Sequence, residues 1–320
     1  MIVPPPRKSL ASVFIYRGTT VRQTWPQLLI TLVVALGVTL IHQRGGDPDM
    51  RLDLTPLPFQ LIGLALSIFL AFHTNAAYDR WWEGRKLWGG VVNITRSIVR
   101  QMQTFARDAG DPDQPAASEA VRTVTLRTIA WTHALNRHLR PGDSWDRGLA
   151  EVLRGNLPDG EIDALRASSN PPIEILRQTG QVIRSAYAAG QLSNYELVKL
   201  EDSLERMTDL QGGCERIRNT PLPWGYAFLL SRLVFYYCLA LPLGIVATIG
   251  WMTPVVTLAI AVALFGLNEI AGDIADPFAD CPNSLPMDAL ATTIETNLRE
   301  AIGQTDQLPP SVEAVAGVLR

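Results

Sequence analysis

Two stretches of this chain, Gln23 to Gln43 and Leu54 to Tyr78, contain no Asp, Glu, Lys or Arg. A third, Trp224 to Asn268, contains only Arg232. Each run is long enough for a helix to cross about 30 Å of hydrocarbon, and a helix is the open-ended structure that satisfies its own backbone there. The third run is too long for one crossing and is interrupted at Gly250-Trp251-Met252-Thr253-Pro254. The pattern predicts four spans, at 25–42, 57–78, 224–248 and 254–268, the last being short unless its helix continues into the polar segment beyond. The first lies too far inside the chain for a signal peptide. Trp25 and Pro26 read as an interfacial anchor followed by the helix's first turn.

The remainder is not membrane-like. Hydrophobic residues make up 47% and charged residues 18% of the 320 positions, and mean hydropathy is only +0.11, as expected for membrane helices joined to a water-exposed part. A net charge of −3 provides no basic field for a nucleic-acid partner. Cys214, Cys238 and Cys281 have no CxxC spacing and read as small buried hydrophobes rather than a disulfide framework or zinc site. Arg7, Lys8, Arg17 and Arg22 precede the first span without an acidic residue, whereas the 43–56 loop sets Arg44 and Arg51 against three aspartates. That bias places both chain ends in the cytoplasm. The expected organisation is a cytosolic N-terminal segment at 1–24, spans one and two at 25–82, a cytosolic helical domain at 83–223, spans three and four at 224–268, and a cytosolic C-terminal segment at 269–320.

Within 83–223, Val91, Ile94, Ile98, Met102 and Phe105 recur at helical spacing, as do Leu197, Leu200, Leu204 and Met207. Ser193 with Glu196 forms a capping-box sequence ahead of the second stripe. Asp108 to Ala117 reads as an exposed linker. No β-alternation or phosphate-binding loop is visible, so the expected fold is all-α, with transmembrane helices continuing into a cytosolic helical bundle. His42, His73, His133 and His138 form no metal-binding or catalytic motif, and no catalytic residue, cofactor or metal site is indicated. Arg232, alone in its run, is open to three readings: facing a pore, pairing with a carboxylate, or snorkelling near the helix start.

In the second span, Leu64, Ile68 and Phe72 stack at i, i+4 and i+8 on one helix face. Alone, such a row more often packs against lipid or a neighbour than lines a pore. The sequence that follows, His73-Thr74-Asn75-Ala76-Ala77-Tyr78-Asp79-Arg80-Trp81-Trp82-Glu83, resembles the second-span signature of the bestrophin family. Cys214-Glu215-Arg216-Ile217-Arg218-Asn219-Thr220-Pro221-Leu222-Pro223 is similar too, as are Phe265 to Ala271 and Asp276-Pro277-Phe278, especially to prokaryotic members. The matches run in order along nearly the whole chain.

The resemblance implies a homopentamer with subunits arranged around a central pore in a bacterial inner membrane, in contact with lipid. Leu64, Ile68 and Phe72 match the family's three-ring hydrophobic neck, where apolar rings gate by dewetting. Tyr195 and Val198 are the candidates for the family's second constriction, at the cytosolic aperture; a tyrosine there departs from the usual aliphatic residue, and packing at a helix cap is the competing reading. Animal members bind calcium through consecutive acidic residues after the Pro-Phe element. Here Asp280 and Asp288 are far apart, so no high-affinity calcium clasp is expected. Glu269, Asp273 and Asp276 share helical spacing and read as a solvated face or an interface pairing. Likeness to prokaryotic members favours monovalent cations, Na+ or K+, over Cl− as the conducted ion. A membrane-anchored scaffold binding partner proteins and a membrane enzyme remain the rival readings.

Overall fold

A computed structural model describes residues 21–44, 54–108, 111–115, 119–145 and 148–312. Arg7, Lys8 and Arg17, on which the orientation rests, and the centre of the 43–56 loop with Arg51, lie outside the described residues. In chain order the helices are α1 (Val21–Arg44), α2 (Pro56–Phe105), α3 (Glu119–Leu139), α4 (Leu149–Leu153), α5 (Asp159–Leu165), α6 (Pro171–Ala188), α7 (Asn194–Asn219), α8 (Trp224–Ile249), α9 (Thr253–Ala275) and α10 (Met287–Ala301).

Helices α1, α8, α9 and the first half of α2 form one layer around Leu28, Leu66, Leu70, Leu230, Val234, Cys238, Ala261 and Phe265. The apolar stretch from Trp224 to Ala275 is 52 residues long and reverses at Gly250, whose φ of 53° closes α8. Its two arms are antiparallel: Asn268 donates to the Ser231 hydroxyl at 3.1 Å, and the Phe235 and Phe265 ring centroids lie 6.4 Å apart. Four apolar helices thus bundle together. Hydroxyls inside the layer spend their protons locally, Thr31 on the Gln27 carbonyl, Thr39 on Ala35 and Ser67 on Gly63, as polar groups in hydrocarbon must.

The second core gathers Trp88, Ile98 and Met102 of α2, Ile129, Trp131 and Leu135 of α3, and Leu200, Leu204 and Met207 of α7 into a helical body beyond that layer. Both amphipathic stripes face it, with Ile94, Phe105 and Leu197 only partly buried. Local signals start the helices where expected. Ser193 and Glu196 cap α7 reciprocally, and Asn170 caps α6 ahead of Pro171 and Pro172 in its first turn.

Two expectations, on Pro26 and the linker, change, and two, on α2 and the last span, take a definite form. The boundary between residues 82 and 83 is not a break, because α2 is one helix of 50 residues that belongs to both cores. The last span continues to Ala275, resolving its shortness. Pro26 lies inside α1, whose described part starts at Val21, rather than in its first turn. The stretch read as a bare linker pairs Arg107–Asp108 with Asp111–Pro115 as a short antiparallel ladder; two registers of backbone bonding need no alternating side chains, so hydrophobic periodicity carries no trace of it. Among the described residues the other regular elements are all helices.

Candidate functional site

The candidate functional face lies along α2. Leu64, Ile68 and Phe72 share one side of the helix, and they are 63%, 49% and 64% exposed. Leu66 and Leu70, between them in sequence, are buried against α8 and α9. Apolar residues therefore occupy both sides of the helix, one side packed within the subunit and the other left open. Close approach fixes which is which: Gly244 of α8 lies so near the Phe59 ring that an added Cβ would be 2.2 Å from it, and Gly63 meets Tyr237 in the same way at 2.5 Å. Small residues let helix backbones approach where lipid offers no hydrophobic drive to association. Tyr226 donates to the Phe69 carbonyl at 3.1 Å, pinning the start of α8 beside the Phe72 end of the row.

Beneath the row is a collar of hydrogen bonds. The Arg80 guanidinium donates to the carbonyls of Ala275 at 2.9 Å, Thr220 at 2.6 Å and Ile217 at 2.7 Å. Those carbonyls are the unsatisfied ends of α7 and α9, where a cation is favoured. Trp81 donates to the Asn283 carbonyl at 3.1 Å, Asn283 donates to Asp273 at 2.9 Å, and Glu83 accepts from Arg216. The Asp-Arg-Trp-Trp element thus ties the membrane layer to the body.

Tyr195 and Val198 lie on the first turns of α7, 89% and 58% exposed. They belong to the body, apart from the α2 row in the membrane layer. Arg232 is exposed on α8 with its guanidinium 3.9 Å from the Phe228 ring centroid, a cation–π contact, and among the described residues no carboxylate pairs with it. Cys214 and Cys238 are buried and free, and burial pushes the Cys214 thiol up to about 12.

Three polar networks were not legible in the sequence. Arg140 is buried at the end of α3, reaching Asp288 at 2.8 Å and Asp280 at 3.2 Å; those two aspartates, remote from each other in sequence, share one arginine. His133 meets Glu295 at 2.7 Å. Burial alone would raise Glu295, but His133 and Arg299 overcome it and hold the carboxyl below the usual range. His138 lies 3.4 Å from Glu215. This contact leads in depressing Glu215, burial opposes it, and hydrogen bonds from Gln211 and Asn170 bring the carboxyl to about 2. The available signal was polar residues, Asn136 within α3 and Arg140 just past its end, among positions that are otherwise buried.

Comparison with known proteins agrees with this architecture. The sequence profile described as "Bacterial/Fungal Bestrophin protein" matches residues 1–300. A protein of Mesorhizobium japonicum named a voltage-dependent anion channel-forming protein is 34% identical over 98% of this chain and 94% of its own length. A similarly named protein of Escherichia coli is 32% identical over 93% of each. The crystal structure of a bacterial bestrophin homologue from Klebsiella pneumoniae superposes with a TM-score of 0.80 at 32% identity, covering 88% of this chain and 100% of that one. With its apolar helical layer, its α2 row and these matches along its length, the chain is a membrane protein of the bacterial/fungal bestrophin family.

Proposed function

We propose that the protein is a homopentameric ion channel of a bacterial inner membrane, conducting small monovalent ions passively along a central axis lined by α2, with cations favoured over chloride. One observation carries the reading: Leu64, Ile68 and Phe72 form an exposed apolar row on the side of α2 turned away from the buried Leu66 and Leu70. Repeated around an axis, that face makes rings of side chains, and a narrow apolar tube excludes water and ions until it widens or becomes wetter. Names of the relatives support channel activity and specify an anion. An apolar neck carries no charge of its own, so the sign of the ion is set elsewhere along the pore.

Under this reading the helical body lies in the cytoplasm with both chain ends, residues 83–223 form most of it, and Tyr195 and Val198 surround the exit. Ions enter from outside, pass the neck partly dehydrated, cross a water-filled chamber and leave past α7. No catalytic group, cofactor or metal takes part.

The test is current through purified protein in a planar bilayer under a KCl gradient. Changing Leu64, Ile68 and Phe72 together to Ala should raise unitary conductance severalfold. A triple variant that assembles normally and conducts like the parent removes the neck assignment. Absence of current from an intact pentamer with an opened neck favours a membrane-anchored scaffold.

A further inference from the structure

Helix α2 does not end at the membrane layer, and neither does its open face. Counting 3.6 residues per turn from Ile68, Asp79 falls about three turns on, within about 20° of the neck row. It is exposed, as is Asn75, which occupies the turn between Phe72 and Asp79 on the same side. The Asp79 carboxylate lies about two turns, roughly 10 Å, past Phe72, and helical side chains lean back toward the N-terminus, here toward the neck.

Asp79 also keeps its charge to itself. Among the described residues no Lys, Arg or His forms an ion pair with it, whereas Glu83, one turn further along α2, is paired with Arg216. The adjacent Arg80 points its donors at three carbonyls of α7 and α9 instead. The next charge on the row, Lys86, is a further two turns down. That separation exceeds a Debye length in physiological salt, so its field at the neck is the more strongly screened.

We propose that Asp79 sets the charge selectivity of the channel, forming a ring of carboxylates at the inner mouth of the neck that concentrates cations and repels chloride beside the constriction. This rests on the pore reading above. Low-dielectric walls focus the field of a charged ring into the lumen, so groups just outside an uncharged constriction decide which sign of ion waits there to cross.

The test is the reversal potential of purified full-length channel under a tenfold KCl gradient, for the parent, Asp79→Asn and Asp79→Lys, each also made with the neck changed to Ala. Among the described residues the carboxylate has no ion-pair partner to lose, so folding is checked simply by recovery of the intact oligomer. A cation-selective parent, an Asp79→Asn channel whose K+/Cl− permeability ratio falls by about tenfold, and an Asp79→Lys channel reversing on the chloride side are expected. A parent reversing near the chloride potential overturns the proposal. So does a conducting Asp79→Lys channel with the parent's reversal potential, which leaves the pore reading intact. Loss of current from every neck-opened protein, the parent included, overturns both.

Discussion

Arg80 shows how one side chain holds two layers in register. Its three donors end on carbonyls from two helices that converge on it from opposite directions along the chain. Replacing it by Ala leaves those carbonyls to water or to nothing, at a cost of about 2 to 4 kcal/mol given their partial exposure. Arg80→Ala should lower the detergent-solubilised protein's melting temperature by several degrees, and Arg80→Lys should restore only part, since an ammonium cannot span three acceptors as a planar fork does. Scanning calorimetry or a thiol-reactive melt measures it. The sequence exhibits Arg80 as a member of a recognisable motif but not its partners, because Ile217, Thr220 and Ala275 act through their backbones, and backbone acceptors carry no residue identity. The Leu64, Ile68 and Phe72 row was legible from spacing, its reading as a neck came only from the family resemblance, and its openness on one side became visible only when α8 and α9 were packed against the other.

Among the elements, α7 illustrates where local chemistry suffices. The Ser193–Glu196 box was readable because all its atoms lie within four consecutive residues, and the structure builds it with the Ser193 amide donating to Glu196 at 2.7 Å. Ser193→Ala should cost about 1 kcal/mol and loosen the first turn carrying Tyr195. Faster amide exchange confined to residues 194–198 is the expected observation; unchanged exchange would mean the cap is redundant. The long apolar helices were legible for a similar reason, since charge is excluded residue by residue from hydrocarbon. The end of α2 was not. Where the helix leaves the membrane layer its composition changes at residue 79, and composition marks a change of solvent, not an end of helix.

For the molecule as a whole, stability should depend on acid through the tie between α3, α6 and α7. Glu215 titrates near 2 in the folded protein against an ordinary value of 4.5. A carboxyl depressed on folding binds fewer protons folded than unfolded, so its contribution is fully present above about pH 4.5, shrinks as pH falls, and is gone below about 2. Melting temperatures at pH 6 and pH 3 should therefore converge more closely in Glu215→Gln than in the parent, with Glu215→Gln the less stable at pH 6. An equal loss in both would assign the acid sensitivity to other carboxylates. None of this network was readable beforehand, because His138, Asn170, Gln211 and Glu215 come from three helices whose relative placement the sequence does not encode locally.

The same 50-residue rod that joins both cores has a mechanical meaning. At 1.5 Å per residue, Arg80 clasps it about 18 Å from Ile68 and about 37 Å from Phe105. If that clasp acts as a fulcrum, the rod is a lever with arms in a ratio of about one to two. In the proposed channel, a sideways push on the far end of α2 would then reappear at the Leu64, Ile68 and Phe72 row at about half its size and in the opposite sense, so that whatever leans on the body would lean on the proposed gate.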